Sequence, residues 1–318
     1  MSATAMADSA PVDKALLAEA RATLSDITHV TPLLHAPALD RALGARVLVK
    51  AECLQLTGSF KLRGAYFRLT RLTATERRSG AVAFSSGNFA QGLAAAGHLL
   101  GVPITIVMPE DAPPAKIEAT RGWGATVVST SHGAENREFV AARRAEAIAA
   151  ETGAALLHPF DDPLIVAGQA TATAEMIEQA VAQGHGLDAV IVPVGGGGLI
   201  AGAVLACEGL PAAPMIVAAE PVGYDDFGRS LASGTRLRNE QPARTLCDAL
   251  QAGMPGAVPF GIARGQVARA VAVDDDAVRR AMALAFRLLK IVLEPSGACP
   301  SASLGTGEPQ SLAGEDIN

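Results

Sequence analysis

A chain of 318 residues, 49% hydrophobic and 18% charged, can bury a substantial core and has the length of about two domains. Such a composition is that of a globular protein and not of a disordered one. The net charge of -6 and pI of 5.6, with no basic run longer than a pair such as Arg77-Arg78, argue against nucleic acid as the main partner.

The opening "MSATAMADSAPVDK" has no basic stretch followed by an apolar run, so no secretion signal is read there. Further on, Thr57 or Ser59 is placed to cap a helix over 60–72. From residue 80 the pattern alternates. Strands are predicted at 81–85, 103–109, 125–130 and 155–158, with helices at 88–100, 113–121 and 134–151 between them. After a loop at "HPFDDP" come a helix over 164–182, a buried strand "AVIVPV" (189–194) and a helix over 199–207. A strand "MIVAAE" (215–220), a strand "VARAVAV" (267–273) and a helix over 274–290 complete the reading. Strand-helix alternation of this kind signals parallel sheets covered by helices. No linker separates two halves, so a second domain is expected to be inserted within the first. The apolar runs are too short to span a bilayer. Cys53, Cys207, Cys247 and Cys299 form no CxxC pair and read as reduced thiols of a cytoplasmic protein.

Three segments carry chemistry. Gly195-Gly196-Gly197-Gly198 follows the buried strand and opens a helix, a place where backbone N–H groups converge on a phosphate. Neither GxGxxG nor a Walker loop is present, because Ile200 takes the third glycine position and no GK[ST] follows. "SSGN" (85–88) sits at another strand-to-helix junction, suited to a carboxylate or, equally, to ordinary helix capping. Lys61 lies in the first turn of its predicted helix, between Phe60 and Leu62. The helix dipole and apolar neighbours both disfavour a cation there, which lowers the amine pKa and leaves a nucleophile toward carbonyls. A snorkelling surface lysine is the alternative for this motif alone. Joined to a phosphate cradle, the lysine fits pyridoxal phosphate.

"TGSFKLRGA", "SSGNFAQGLA", "HPFDDP", "PVGGGGLIAG" and "EPSGA", in this order, resemble the serine/threonine dehydratases of the fold-type II pyridoxal phosphate enzymes, a group that includes the serine racemases. The resemblance implies an α/β fold like that of the tryptophan synthase β chain. Two three-layer αβα domains have mostly parallel sheets, the small one (76–157) inserted in the large one (1–75 and 158–318). It implies that Lys61 carries the cofactor as a Schiff base, that Phe60 packs beside it and that Asn88 bonds its ring hydroxyl. Gly195, Gly196, Gly197 and Gly198 would hold its phosphate, and Ser85, Ser86, Gly87 and Asn88 the substrate carboxylate. Freed Lys61 would remove the α-proton. Ser86 matches the racemase serine that protonates the opposite face, and is otherwise a carboxylate ligand. Glu220, the Tyr224 carbonyl and Asp226 match a Mg²⁺ or Ca²⁺ site of some relatives, whose oxygen ligands suit a hard cation. Helix capping by Asp225 and Asp226 is the equal alternative. The implied activity is a lyase that turns L-threonine or L-serine into a 2-oxo acid and ammonia, in a cytoplasmic homodimer with no membrane contact. A serine or hydroxyaspartate racemase/dehydratase and an inactive cofactor-binding chain are the other readings.

The match departs at three places. Phe89 stands where the family has histidine, and Ala249 where many relatives have glycine against the ring. Relatives also continue into a final strand ending in a Ser/Cys-Gly-Gly-Asn type motif that contacts the pyridine nitrogen. This sequence stops at Asn318, where that strand is expected to begin, and Ser296 is not its equivalent. No long regulatory extension is expected either.

Overall fold

The computed structural model describes residues 11–305 except Ser86, His132, Ala134, Asn136, Gln241 and Pro242. The chain opens with α1 (Lys14–Leu24), β1 (Leu33–His35), α2 (Pro37–Leu43), β2 (Leu48–Lys50), α3 (Lys61–Thr70) and α4 (Ala74–Ser79). Next come β3 (Ala81–Phe84), α5 (Asn88–Leu100), β4 (Ile104–Pro109), α6 (Pro114–Gly122), β5 (Thr126–Thr130), α7 (Arg137–Thr152) and β6 (Ala155–Leu157). After α8 (Pro163–Ala182) follow β7 (Ala189–Pro193), α9 (Gly198–Cys207), β8 (Met215–Pro221) and α10 (Asp226–Ser233). The last elements are α11 (Ala257–Ala263), β9 (Val267–Val273), α12 (Asp275–Leu284) and α13 (Pro295–Ser303).

Two parallel sheets result, one in the order β5-β4-β3-β6 and one in the order β7-β8-β9; β1 and β2 form a separate antiparallel pair. Every strand expected from the alternation after residue 80 is present. The first sheet is apolar on both faces, as parallel strands under helices must be: Ala81, Val82, Ala83 and Phe84 of β3 are all buried. One core cluster joins Leu62, Ala65 and Leu69 of α3 to Phe89 and Leu93 of α5 and to Ile104 and Ile106 of β4. The helix that starts with Lys61 is thereby fixed against the helix that starts with Asn88. Gly92 permits the approach: a Cβ there would lie 2.9 Å from the Leu62 nitrogen and from the Lys61 carbonyl carbon.

The start of α3 differs from the sequence expectation. Neither Thr57 nor Ser59 caps it. Phe60 is the N-cap and already has helical torsions, φ -61° and ψ -14°, so the chain enters through a tight turn and not from an extended cap residue. The Thr57 and Ser59 hydroxyls are instead buried without a hydrogen-bond partner. Nor does Asp225 or Asp226 cap α10 through its side chain. Glu220 does so, accepting from the Phe227 and Gly228 N–H groups at 2.9 and 2.8 Å. Among the described residues no helix is long and apolar enough to cross a membrane.

Candidate active site

In parallel sheets, loops at the carboxyl ends of the strands form the binding crevice. β3 ends at Phe84 and β7 at Pro193, so the turn through Ser85, Gly87 and Asn88 and the glycine turn at 195–198 both lie at such ends. Both turns border one cavity of about 900 Å³, and Phe60 and Lys61 border it as well. The cofactor and substrate residues expected from the sequence are therefore gathered around one space. Ser86 lies outside the described residues.

Gly197 shapes the glycine turn. Its φ of +94° lies in the left-handed region, and a Cβ there would come within 2.4 Å of the Phe227 ring. The first turn of α9 that follows leaves N–H groups without acceptors in the helix, a preformed anion cradle. At the other turn the Ser85 hydroxyl accepts the Gly87 N–H at 3.3 Å, and Asn88 opens α5.

Lys61 Nζ donates to the carbonyl of Pro159 at 3.3 Å and lies 5.2 and 5.8 Å from the centres of the Phe60 and Phe89 rings. Burial pushes its pKa down to about 8, against the pull of Glu294, which favours the charge. Close to neutral pH this amine has a substantial unprotonated fraction, as a carbonyl nucleophile or a proton acceptor requires.

Glu294, Asp248 and Ser296 of the cavity lining, and Lys116 beside it, carried no role in the sequence reading. Asn88 donates its amide N–H to Glu294, whose carboxyl pKa is raised by burial against Lys116 and Asn88. Lys116 Nζ sits 2.5 Å from Asp248 and 3.8 Å from Glu294. The Ser296 hydroxyl accepts the Ala249 N–H at 3.0 Å. "EPSGA" and "CDAL" were the available signals, since they contain Glu294, Ser296 and Asp248. Of the cation-site residues, Tyr224 borders the cavity, whereas Glu220 and Asp226 are not among its lining residues.

The family model for pyridoxal-phosphate dependent enzymes matches residues 24–317. The chain belongs to that family. It is 40% identical over 281 residues to L-threo-3-hydroxyaspartate ammonia-lyase of Pseudomonas sp, covering 88% of this chain and 85% of that protein. Identity to serine racemase of Oryza sativa subsp. indica is 37% over 280 residues, covering 88% and 80%. Among solved structures, a T.th. threonine deaminase superposes with a TM-score of 0.86 at 43% identity, over 92% of each chain. The fold is that of the fold-type II pyridoxal phosphate enzymes.

The residues present fit the cofactor. Lys61 offers an amine to its aldehyde, the glycine turn a cradle to its phosphate, and the orphaned hydroxyls of Thr57 and Ser59 stand beside the lysine in sequence.

Proposed function

We propose that this family member is an ammonia-lyase that converts L-threonine and L-serine to 2-oxo acids by α,β-elimination. The observation that carries the reading is the amine of Lys61, desolvated and bordering the same cavity as the glycine turn and the Ser85–Asn88 turn. When bound, the cofactor would supply an electron sink for charge developing at the substrate α-carbon. Lys61 Nζ takes the α-proton. The N–H groups of Gly195 to Gly198 would hold the cofactor's phosphate, Phe60 would pack beside its ring and Asn88 would bond its ring hydroxyl. The turn of Ser85, Ser86, Gly87 and Asn88 holds the substrate carboxylate. On this reading residues 76–157 form the inserted small domain, and the Lys116–Asp248 and Asn88–Glu294 contacts cross the cleft.

Charge supports an uncharged side chain on the substrate. Asp248 and Glu294 already hold the ammonium of Lys116 there, and a further carboxylate beside them would add like charge. The test is turnover of the cofactor-loaded protein on L-threonine, L-serine and L-threo-3-hydroxyaspartate, with ammonia and 2-oxo acid measured. The value of kcat/KM for L-threonine should exceed that for hydroxyaspartate by at least about tenfold. The reverse order would reject the substrate assignment. D-Serine as the main product from L-serine would favour a racemase, and cofactor absorbance without turnover an inactive binder.

We further infer a divalent-cation site at Glu220, the Tyr224 carbonyl and Asp226. Asp226 Oδ2 is buried with no hydrogen-bond partner. Burial raises the pKa of Glu220 to about 8 and that of Asp226 to about 6, and a bound cation would lower both. Among the described residues no three His, Cys, Asp or Glu side chains are grouped to hold a metal; the Tyr224 carbonyl would be the third ligand. Mg²⁺ or Ca²⁺ should raise the wild-type Tm and leave Asp226→Ala unmoved. Equal shifts in both would remove the site.

A further inference from the structure

We infer that His158 is a positioning residue for Lys61. The inference rests on the reading of Lys61 as the cofactor-bearing amine and concerns what aims that amine. His158 directly follows β6, at the head of the segment His158-Pro159-Phe160-Asp161-Asp162. Its Nδ1 accepts the backbone N–H of Asp161 at 2.9 Å and, at a longer 3.4 Å, that of Phe160. An atom that accepts two N–H groups carries no proton, so the ring is held neutral with its hydrogen on Nε2. Burial pushes the imidazole pKa down as well, against Asp161 and Asp162, while Lys61 and Arg236 act in the same direction as burial.

These two bonds curl the segment tightly around the residue between them and the ring, and the curl has two products. The first is the Pro159 carbonyl, which receives Lys61 Nζ at 3.3 Å. The second is the Phe160 ring, placed under the glycine turn so closely that a Cβ on Gly196 would fall 2.3 Å from its atoms. The His158 ring also packs edge-on against Phe160 and Phe84, at centroid distances of 4.5 and 5.4 Å. Further along, Asp161 accepts the Val258 N–H at 2.8 Å, and Asp162 caps α8 while binding Arg68 of α3 at 2.8 Å. One acceptor atom thus sets the relative placement of the amine and of the floor beneath the phosphate cradle. His158 is not among the cavity-lining residues.

The role belongs to the acceptor at the δ position and not to the aromatic ring, which makes it separable by substitution. In His158→Asn the carboxamide oxygen stands as far along the side chain as Nδ1 and can accept the same N–H groups. In His158→Phe the ring packing remains and the acceptor is gone. In His158→Gln the oxygen is displaced by one bond length. The full-length chain, stripped of cofactor, is mixed with pyridoxal phosphate, and its covalent capture is followed by the yellow absorbance of the lysine-bound form. Melting of the cofactor-free chain is recorded beside it. His158→Phe and His158→Gln should capture the cofactor about 10- to 100-fold more slowly than wild type, the scale of a misplaced reacting group. His158→Asn should stay within about threefold of wild type. If His158→Phe does not fold, the comparison of His158→Gln with His158→Asn decides. Capture by His158→Asn as slow as by the other variants, or wild-type capture by His158→Phe or His158→Gln, overturns the inference. Undiminished capture in a Lys61→Ala control would instead reject the reading of Lys61 itself.

Discussion

Lys61→Ala is expected to lower kcat/KM for L-threonine by about 10⁴-fold or more, because on the proposed function one side chain would supply both the attachment point and the proton acceptor. Stability should move little, and upward if at all. The folded pKa of about 8 lies below the ordinary value of 10.5, so below pH 8 the native state carries a charged amine that burial disfavours. The variant removes that cost. Stability of the wild-type chain relative to the variant should therefore improve as pH rises from about 8 toward 10.5, where the folded amine is already neutral. Wild-type activity in Lys61→Ala would reject the assignment.

The largest loss of stability is expected at Arg63, two residues further along the same helix. Its side chain is 0% exposed, with Nε 2.8 Å from Glu52 and Nη1 2.7 Å from Glu175. Glu175 in turn holds Lys50 at 2.8 Å, and Thr31 donates its hydroxyl to Glu52 at 2.5 Å. Burial opposes the guanidinium charge, but the two carboxylates outweigh it and raise the Arg63 pKa. Arg63→Met keeps the bulk and leaves two half-buried carboxylates without their main partner, at a cost of about 3 kcal/mol, the low end for a broken buried pair. Adding Glu52→Gln should recover part of it, since one unpaired carboxylate is removed while Glu175 keeps Lys50. The pH dependence has a definite sign. Burial tends to raise the Glu175 pKa, yet the bonds from Arg63 and Lys50 hold it below the ordinary 4.5. This contribution is present above pH 4.5 and is lost as pH falls through the lower folded value. The gap between wild type and Arg63→Met should therefore close in acid. Chemical denaturation at several pH values measures it, and a gap that does not depend on pH would contradict the ion-pair account.

How much of this was legible in the sequence depended on the range of the interaction involved. The apolar runs of β3, β4 and β8 announce their strands because both faces of an inner parallel strand are buried. The edge strands β5 and β9 formed although they are largely exposed. β1 and β2 have three residues each, too few for any period to register, and what they pair with lies 13 or more residues away. At α3 a local capping rule favoured Thr57 or Ser59, but the chain enters through a tight turn at Phe60 and leaves both hydroxyls unpaired. Lys61 and the glycine turn were readable because each is a short local pattern with its own chemistry. The contacts of Lys116 with Asp248 and Glu294 were not, since an ion pair between distant residues leaves no local trace: Lys116 and Asp248 are 132 positions apart. Likewise, His158 reads as one residue of a loop until its Nδ1 is seen to organise that loop.

The central claim is that the side chain at position 61 holds the cofactor covalently. Borohydride reduction of the pyridoxal phosphate-loaded protein, followed by proteolysis and mass spectrometry, tests it directly. The phosphopyridoxyl label should appear on the peptide that contains Lys61, in close to one copy per chain. A label on Lys50 or Lys116 instead, or on no lysine at all, would contradict the account.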